Sequence, residues 1–87
     1  VPGVSRVNQD TAGGKIIEDL APTVFVNNKP IAVKGCHIQN HGGSPHNNPT
    51  MVGSSSTVFA NNKLVCRDGD KASCNHSATG SGDVFAG

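Results

Sequence analysis

An 87-residue chain of net charge +1, with 34% apolar residues, three Phe and neither Trp nor Tyr, has little large side chain from which to build a core. A core this small supplies no more than about 3–5 kcal/mol, so a further staple is required. With no basic cluster and almost no aromatic surface for stacking bases, nucleic-acid partners are set aside; no apolar run approaches the roughly 20 residues of a membrane helix and Val1 to Arg6 has no leader pattern, so a soluble chain made without a signal peptide is expected.

Val4 to Val7 reads as a short strand and Gly13-Gly14 as a turn. Lys15 to Leu20 is too short and too β-branched for a helix, with Pro22 close behind, and reads as strand. Thr23 to Val26 alternates as a half-buried strand should, Asn27-Asn28 is a hairpin turn tolerant of positive φ, and Ile31-Ala32-Val33 is the return strand. Gly35 to Pro49 is a long loop that holds three of the four histidines and is expected to carry no regular core. Met51-Val52 leads through Gly53-Ser54-Ser55-Ser56 into a second hairpin, with Asn61-Asn62 as its turn and Leu64 to Arg67 as its return strand. A second polar loop, Asp68 to His76, precedes a Gly80-Ser81 turn and a last strand. No segment of about ten residues carries a 3.6-residue period, so the chain reads as one all-β domain over residues 1–87.

A repeat organises these strands. Thr23-Val24-Phe25-Val26-Asn27-Asn28-Lys29 and Thr57-Val58-Phe59-Ala60-Asn61-Asn62-Lys63 differ at one position and lie 34 residues apart. A third copy, Asp83-Val84-Phe85-Ala86-Gly87, runs out of chain. Arg67 follows Phe59 by eight residues, and Val33 follows Phe25 by eight; counting eight from Phe85 through the C-terminus and on from Val1 reaches Arg6. The three phenylalanines divide the closed circle into arcs of 34, 26 and 27 residues. Such self-similarity is one supersecondary unit reused. The expected architecture is a small cone of short β-hairpins with pseudo-three-fold symmetry, its termini side by side and its loops gathered at the apex.

Those loops hold the candidate staple. Three cysteines cannot all pair within one chain, and they lack the even spacing of a disulfide framework. Cys66 sits where a return strand buries a small side chain, and Cys36 reads as structural. His41-x4-His46 and Cys74-x-His76 can each chelate one ion from a tight loop. Together they offer one sulfur and three nitrogens, suited to a closed tetrahedral Zn²⁺ site near the apex, with Zn–S near ~2.3 Å and Zn–N near ~2.0–2.1 Å. His37 is the alternative fourth donor, and iron the alternative ion. Structural zinc in small peptides contributes on the order of 10–16 kcal/mol, more than this core could.

The repeat Val-Phe-x-Asn-x-Lys, the Gly-Ser lead-in, the Arg67-x-Gly69-Asp70 close and the terminal Val-Phe ending resemble the PAAR-repeat family over the whole chain. The resemblance implies a structural spike-tip protein that caps the trimeric β-helical spike of a contractile machine, one copy per trimer, and sharpens it for transient passage through a target-cell membrane. It implies a location on the virion, at the tip of a phage tail spike, or else on the secreted tip of a type VI secretion system, and a tip zinc held by three histidines and one cysteine. By motif, His41 and His46 match the middle-loop ligands, and Cys74 and His76 a Ser-Cys-x-His ending. The chain departs from the signature Pro-Ala-Ala-Arg at Pro30-Ile31-Ala32-Val33 and Leu64-Val65-Cys66-Arg67. Ala12 stands where many members have a histidine, which favours His76 as the fourth ligand and keeps His37 as the alternative. Gly80 to Phe85 is one residue shorter than Gly53 to Phe59, a break in the symmetry.

A zinc-dependent hydrolase or Cys-His enzyme is the competing expectation, and would need an open coordination position and a carboxylate base. Asp68 and Asp70 are the only candidates for that base, so no enzyme is expected. A free-standing zinc-binding adaptor is the third reading.

Overall fold

Asn-Asn pairs set two of the hairpins of the computed structural model, which describes residues 2–44 and 46–87. Six two-residue strands form three antiparallel pairs: β1 (Thr11–Ala12) with β2 (Gly14–Lys15), β3 (Phe25–Val26) with β4 (Lys29–Pro30), and β5 (Phe59–Ala60) with β6 (Lys63–Leu64). Asn27 and Asn28 have φ of 52° and 67°, and Asn61 and Asn62 have 49° and 66°. Two consecutive left-handed residues make the turn whose twist matches that of paired strands, and Asn tolerates the conformation because its side chain is short and polar.

The third copy completes its hairpin across the chain ends. Gly3 bridges Phe85, Val4 N donates to Val84 O at 2.8 Å and Ala86 N to Pro2 O at 3.0 Å. The equivalent bonds in the other copies are Ile31 N to Val24 O at 2.9 Å and Val65 N to Val58 O at 3.0 Å. Val4, Ile31 and Val65 are therefore equivalent, as are Arg6, Val33 and Arg67, and the circular count from Phe85 to Arg6 corresponds to a real register.

Between these two sets runs a closed ring. Ser5 N donates to Cys66 O, Cys66 N to Ala32 O and Ala32 N to Ser5 O, each at 3.0 Å. Bridges Val4↔Arg67, Arg6↔Ile31 and Val33↔Val65 flank it. Each return segment is thus paired to the next around a pseudo-three-fold axis, and the ring leaves none of its three segments as an open edge.

Further out, serine hydroxyls set the entry to each hairpin. Ser55 Oγ accepts from Thr57 N at 3.1 Å and Val58 N at 3.0 Å; Ser81 Oγ accepts from Asp83 N and Val84 N, both at 3.1 Å. In the first copy Ala21 does the same through its carbonyl, which accepts from Val24 N at 3.1 Å. Each of these residues lies four before its phenylalanine. The one-residue inequality noted in the sequence therefore falls before the serine, and the hairpins themselves stay in register.

Each hairpin alternates. Val26, Ala60 and Ala86 are buried, while the preceding Phe25, Phe59 and Phe85 face away from the core, 60%, 60% and 54% exposed. Val24 and Val58 pack on the core from its margin. The phenylalanines thus face outward, and the residues after them face the core. The molecule is all-β with no helix among the described residues, a small elongated body measuring 32 × 22 × 22 Å.

Two expectations need correction. Lys15 to Leu20 is not a strand: after β2, Ile16 makes one bridge to Ile38, and from Ile17 on the segment is irregular. Its side chains are used otherwise, Glu18 accepting from His37 and Asp19 Oδ1 from Ala21 N at 3.3 Å. Nor is the 35–49 loop empty of core, since Cys36, Ile38 and Pro49 are fully buried.

Candidate metal centre

Arginine forks and their replacement set the platform beneath the loops. Asp10 accepts from Arg6 N at 2.8 Å, Nε at 2.7 Å and Nη2 at 3.2 Å; Asp70 accepts from Arg67 N at 2.7 Å, Nε at 3.1 Å and Nη2 at 3.1 Å. In the third sector Val33 has no guanidinium to pair, and Cys36 Sγ accepts from Val33 N at 3.4 Å. The departure from the arginine at Val33 is thus matched by a thiol where the other sectors have a carboxylate. Burial pushes the Cys36 thiol up, and pushes Cys66 up to about 12. Both stay protonated, and Cys66 donates to Gly53 O at 3.3 Å.

Two loops above this platform close on themselves. In the middle loop His46 N donates to Gly43 O at 2.7 Å and His41 N to His46 O at 3.1 Å. In the last loop Asn75, at φ 71°, reverses the chain, with Asn75 N to Ala72 O and Ala72 N to His76 O both at 2.9 Å. The short reversals turn His41 toward His46 and Cys74 toward His76.

The four side chains converge. His41 Nε2 is 3.1 Å from His76 Nδ1 and 3.2 Å from His46 Nδ1; Cys74 Sγ is 3.6 Å from His41 Nε2 and 3.5 Å from His76 Nδ1. All four donor atoms lie within 4.8 Å of one another. Donors sharing a tetrahedral ion at the usual zinc distances stand about 3.3 Å apart for two nitrogens and about 3.5 Å for sulfur and nitrogen. The donor set and its spacing therefore fit a four-coordinate ion of that size. His41 Nδ1 donates to Gln39 O at 2.9 Å, which fixes the tautomer and leaves Nε2 free to ligate. Cys74 is buried, His41 and His46 half-buried and His76 exposed.

The other candidates lie elsewhere. His37 is outside the group: its Nδ1 is 2.6 Å from Glu18 Oε1 on the flank. Asp70 is occupied by Arg67, and Asp68 is exposed with its backbone N bonded to Gly3 O at 2.7 Å. Neither carboxylate belongs to the donor group. Sequence reasoning missed Gln39, whose carbonyl leaves no side-chain signal, and Asp10, whose spacing from Arg6 could have shown it; it singled out Asp70 beside Arg67 without reading the two as an ion pair.

The model of the PAAR motif matches residues 8–87. This chain belongs to the PAAR-motif family. Its members are structural spike-tip proteins of contractile injection systems, associated with phage tails and secretion-system tips, and they sit on a spike partner. No curated protein matches the chain. The four grouped side chains come two from the middle loop, His41 and His46, and two from the last loop, Cys74 and His76.

Proposed function

We propose that this chain caps the three-fold β-helical spike of a contractile injection machine, one copy per trimer, and gives it a single hard point for piercing a target-cell membrane. The observation that carries the reading is the ring of Ser5, Ala32 and Cys66, because it presents Phe25, Phe59 and Phe85 as three near-equivalent corners of one base. A single polypeptide with this symmetry can cover a symmetric trimer without leaving one subunit uncapped. Exposed aromatic side chains at the corners are the residue type that dominates association energetics.

At the apex, His41 Nε2, His46 Nδ1, Cys74 Sγ and His76 Nδ1 hold Zn²⁺. The ion ties the middle loop to the last, so the point resists splaying under load. Four protein donors complete a tetrahedral shell, which supports a structural rather than a catalytic ion. Cys74 would hold the ion as a thiolate.

Native mass spectrometry of the chain mixed with the β-helical spike trimer of its machine tests the capping. A complex of one chain with three spike subunits is expected. Three chains per trimer, or no complex, would remove the reading.

A further inference from the structure

The first loop supplies no donor, yet its backbone lies against the donor atoms. Gly13 has φ +86°, and a Cβ there would overlap His76 Nδ1 and stand 2.6 Å from His41 Nε2. A Cβ on Gly14 would overlap Gln39 O and stand 2.8 Å from His41 Nδ1. The Gly13 backbone therefore lies close against two of the imidazole nitrogens with no room for a side chain between, and Gly14 likewise beside the hydrogen bond that orients one of them. Ala12 is fully buried, with its carbonyl oxygen 3.8 Å from Cys74 Sγ.

Ties on both sides hold this loop down. Thr79 N donates to Thr11 O at 2.9 Å and Thr11 N to Thr79 Oγ1 at 3.1 Å, which fastens β1 to the segment leaving His76. Gln39 N donates to Lys15 O at 2.8 Å, which fastens β2 to the segment entering His41. The tight reversal between β1 and β2, with Ala12 opposite Gly14, places Gly13 at the point of closest approach.

We propose that the Gly13-Gly14 turn is the closing wall of the metal site, excluding a fifth donor and gating escape of the ion. The inference rests on His41, His46, Cys74 and His76 being the ligands. A fifth donor approaching beside His41 and His76 meets the Gly13 backbone, so the site favours an ion content with four ligands over one that demands five or six. Departure of the ion past those imidazoles requires the first loop to lift, breaking its ties to Thr79 and Gln39. Gly13 and Gly14 are positioning residues, and they give the first loop a part in a site to which it contributes no ligand.

Loading the chain with Co²⁺ tests this, because cobalt absorbs strongly in four-coordination and weakly in five or six. Release to EDTA is followed by stopped flow in wild type, Gly13→Ala, Thr79→Val and Gly69→Ala. Gly69 shares a positive φ of 93° but has open space where a Cβ would go, so it carries the backbone strain without the contact. Wild type and Gly69→Ala should absorb strongly and release slowly. Gly13→Ala should lose the strong absorption, and Thr79→Val should keep it while releasing cobalt about tenfold faster. Wild-type absorption and release in Gly13→Ala, a wild-type rate in Thr79→Val, or equal loss in Gly69→Ala would overturn the wall. A wild-type chain that takes up no cobalt would instead overturn the ligand assignment beneath it.

Discussion

Replacing Phe59 by alanine separates the base from the core. A phenylalanine offers about 200 Å² of surface, so 60% exposure leaves roughly 120 Å² to be covered by a partner. At about 25 cal/mol per Å² that area is worth about 3 kcal/mol, or roughly a 100-fold change in Kd. The remaining 40%, roughly 80 Å², is already covered in the free chain, so the unfolding free energy from urea titration should fall by no more than about 2 kcal/mol. Calorimetric titration of the spike trimer with Phe25→Ala, Phe59→Ala and Phe85→Ala should show three similar losses, because the three corners are equivalent. An unfolded Phe59→Ala chain, or one that binds the spike as tightly as wild type, would refute the assignment of Phe59 to the base.

Two further perturbations probe the body of the molecule. Asp10→Ala removes the acceptor of three Arg6 donors and of Thr79 Oγ1, leaving the guanidinium with Asn27 Oδ1 at 3.1 Å and the more distant charge of Asp83, and should cost about 2 kcal/mol in urea unfolding. Asp70→Ala should cost less, because the Asp70 carboxylate accepts from Arg67 alone whereas Asp10 also accepts from Thr79 Oγ1. Cys66 should impose an alkaline limit. Below the ordinary thiol pKa, both folded and unfolded chains hold the proton and its stabilisation is complete. As pH rises from there toward about 12, the unfolded chain loses its proton first and stability drains away. Unfolding curves between about pH 8 and about pH 11 should therefore fall more steeply for wild type than for Cys66→Ala.

Much of this was legible because the repeat is local. Asn27-Asn28 and Asn61-Asn62 name their own turn, and the spacing from phenylalanine to arginine carries the register across the chain ends. His41, His46, Cys74 and His76 stand out because their types are rare here and their spacings short. Long-range pairing was harder to read. Nothing in the order of residues says that Ser5, Ala32 and Cys66 bond in a ring, since backbone groups are common to every residue. The 15–20 segment misleads because its β-branched run is spent on one bridge at Ile16, while Glu18 and Asp19 bond locally. Gly13-Gly14 reads as a turn from sequence alone, and only the position of His76 Nδ1 reveals what the missing side chain makes room for.

The apex ion is tested most directly by anomalous scattering and elemental analysis on the purified chain beside Cys74→Ser and His41→Ala. One zinc per chain, bonded to His41, His46, Cys74 and His76 and lost from both variants, is the expected result. Full zinc occupancy in both variants, or a metal-free wild-type chain with its tip loops still in place, would contradict it.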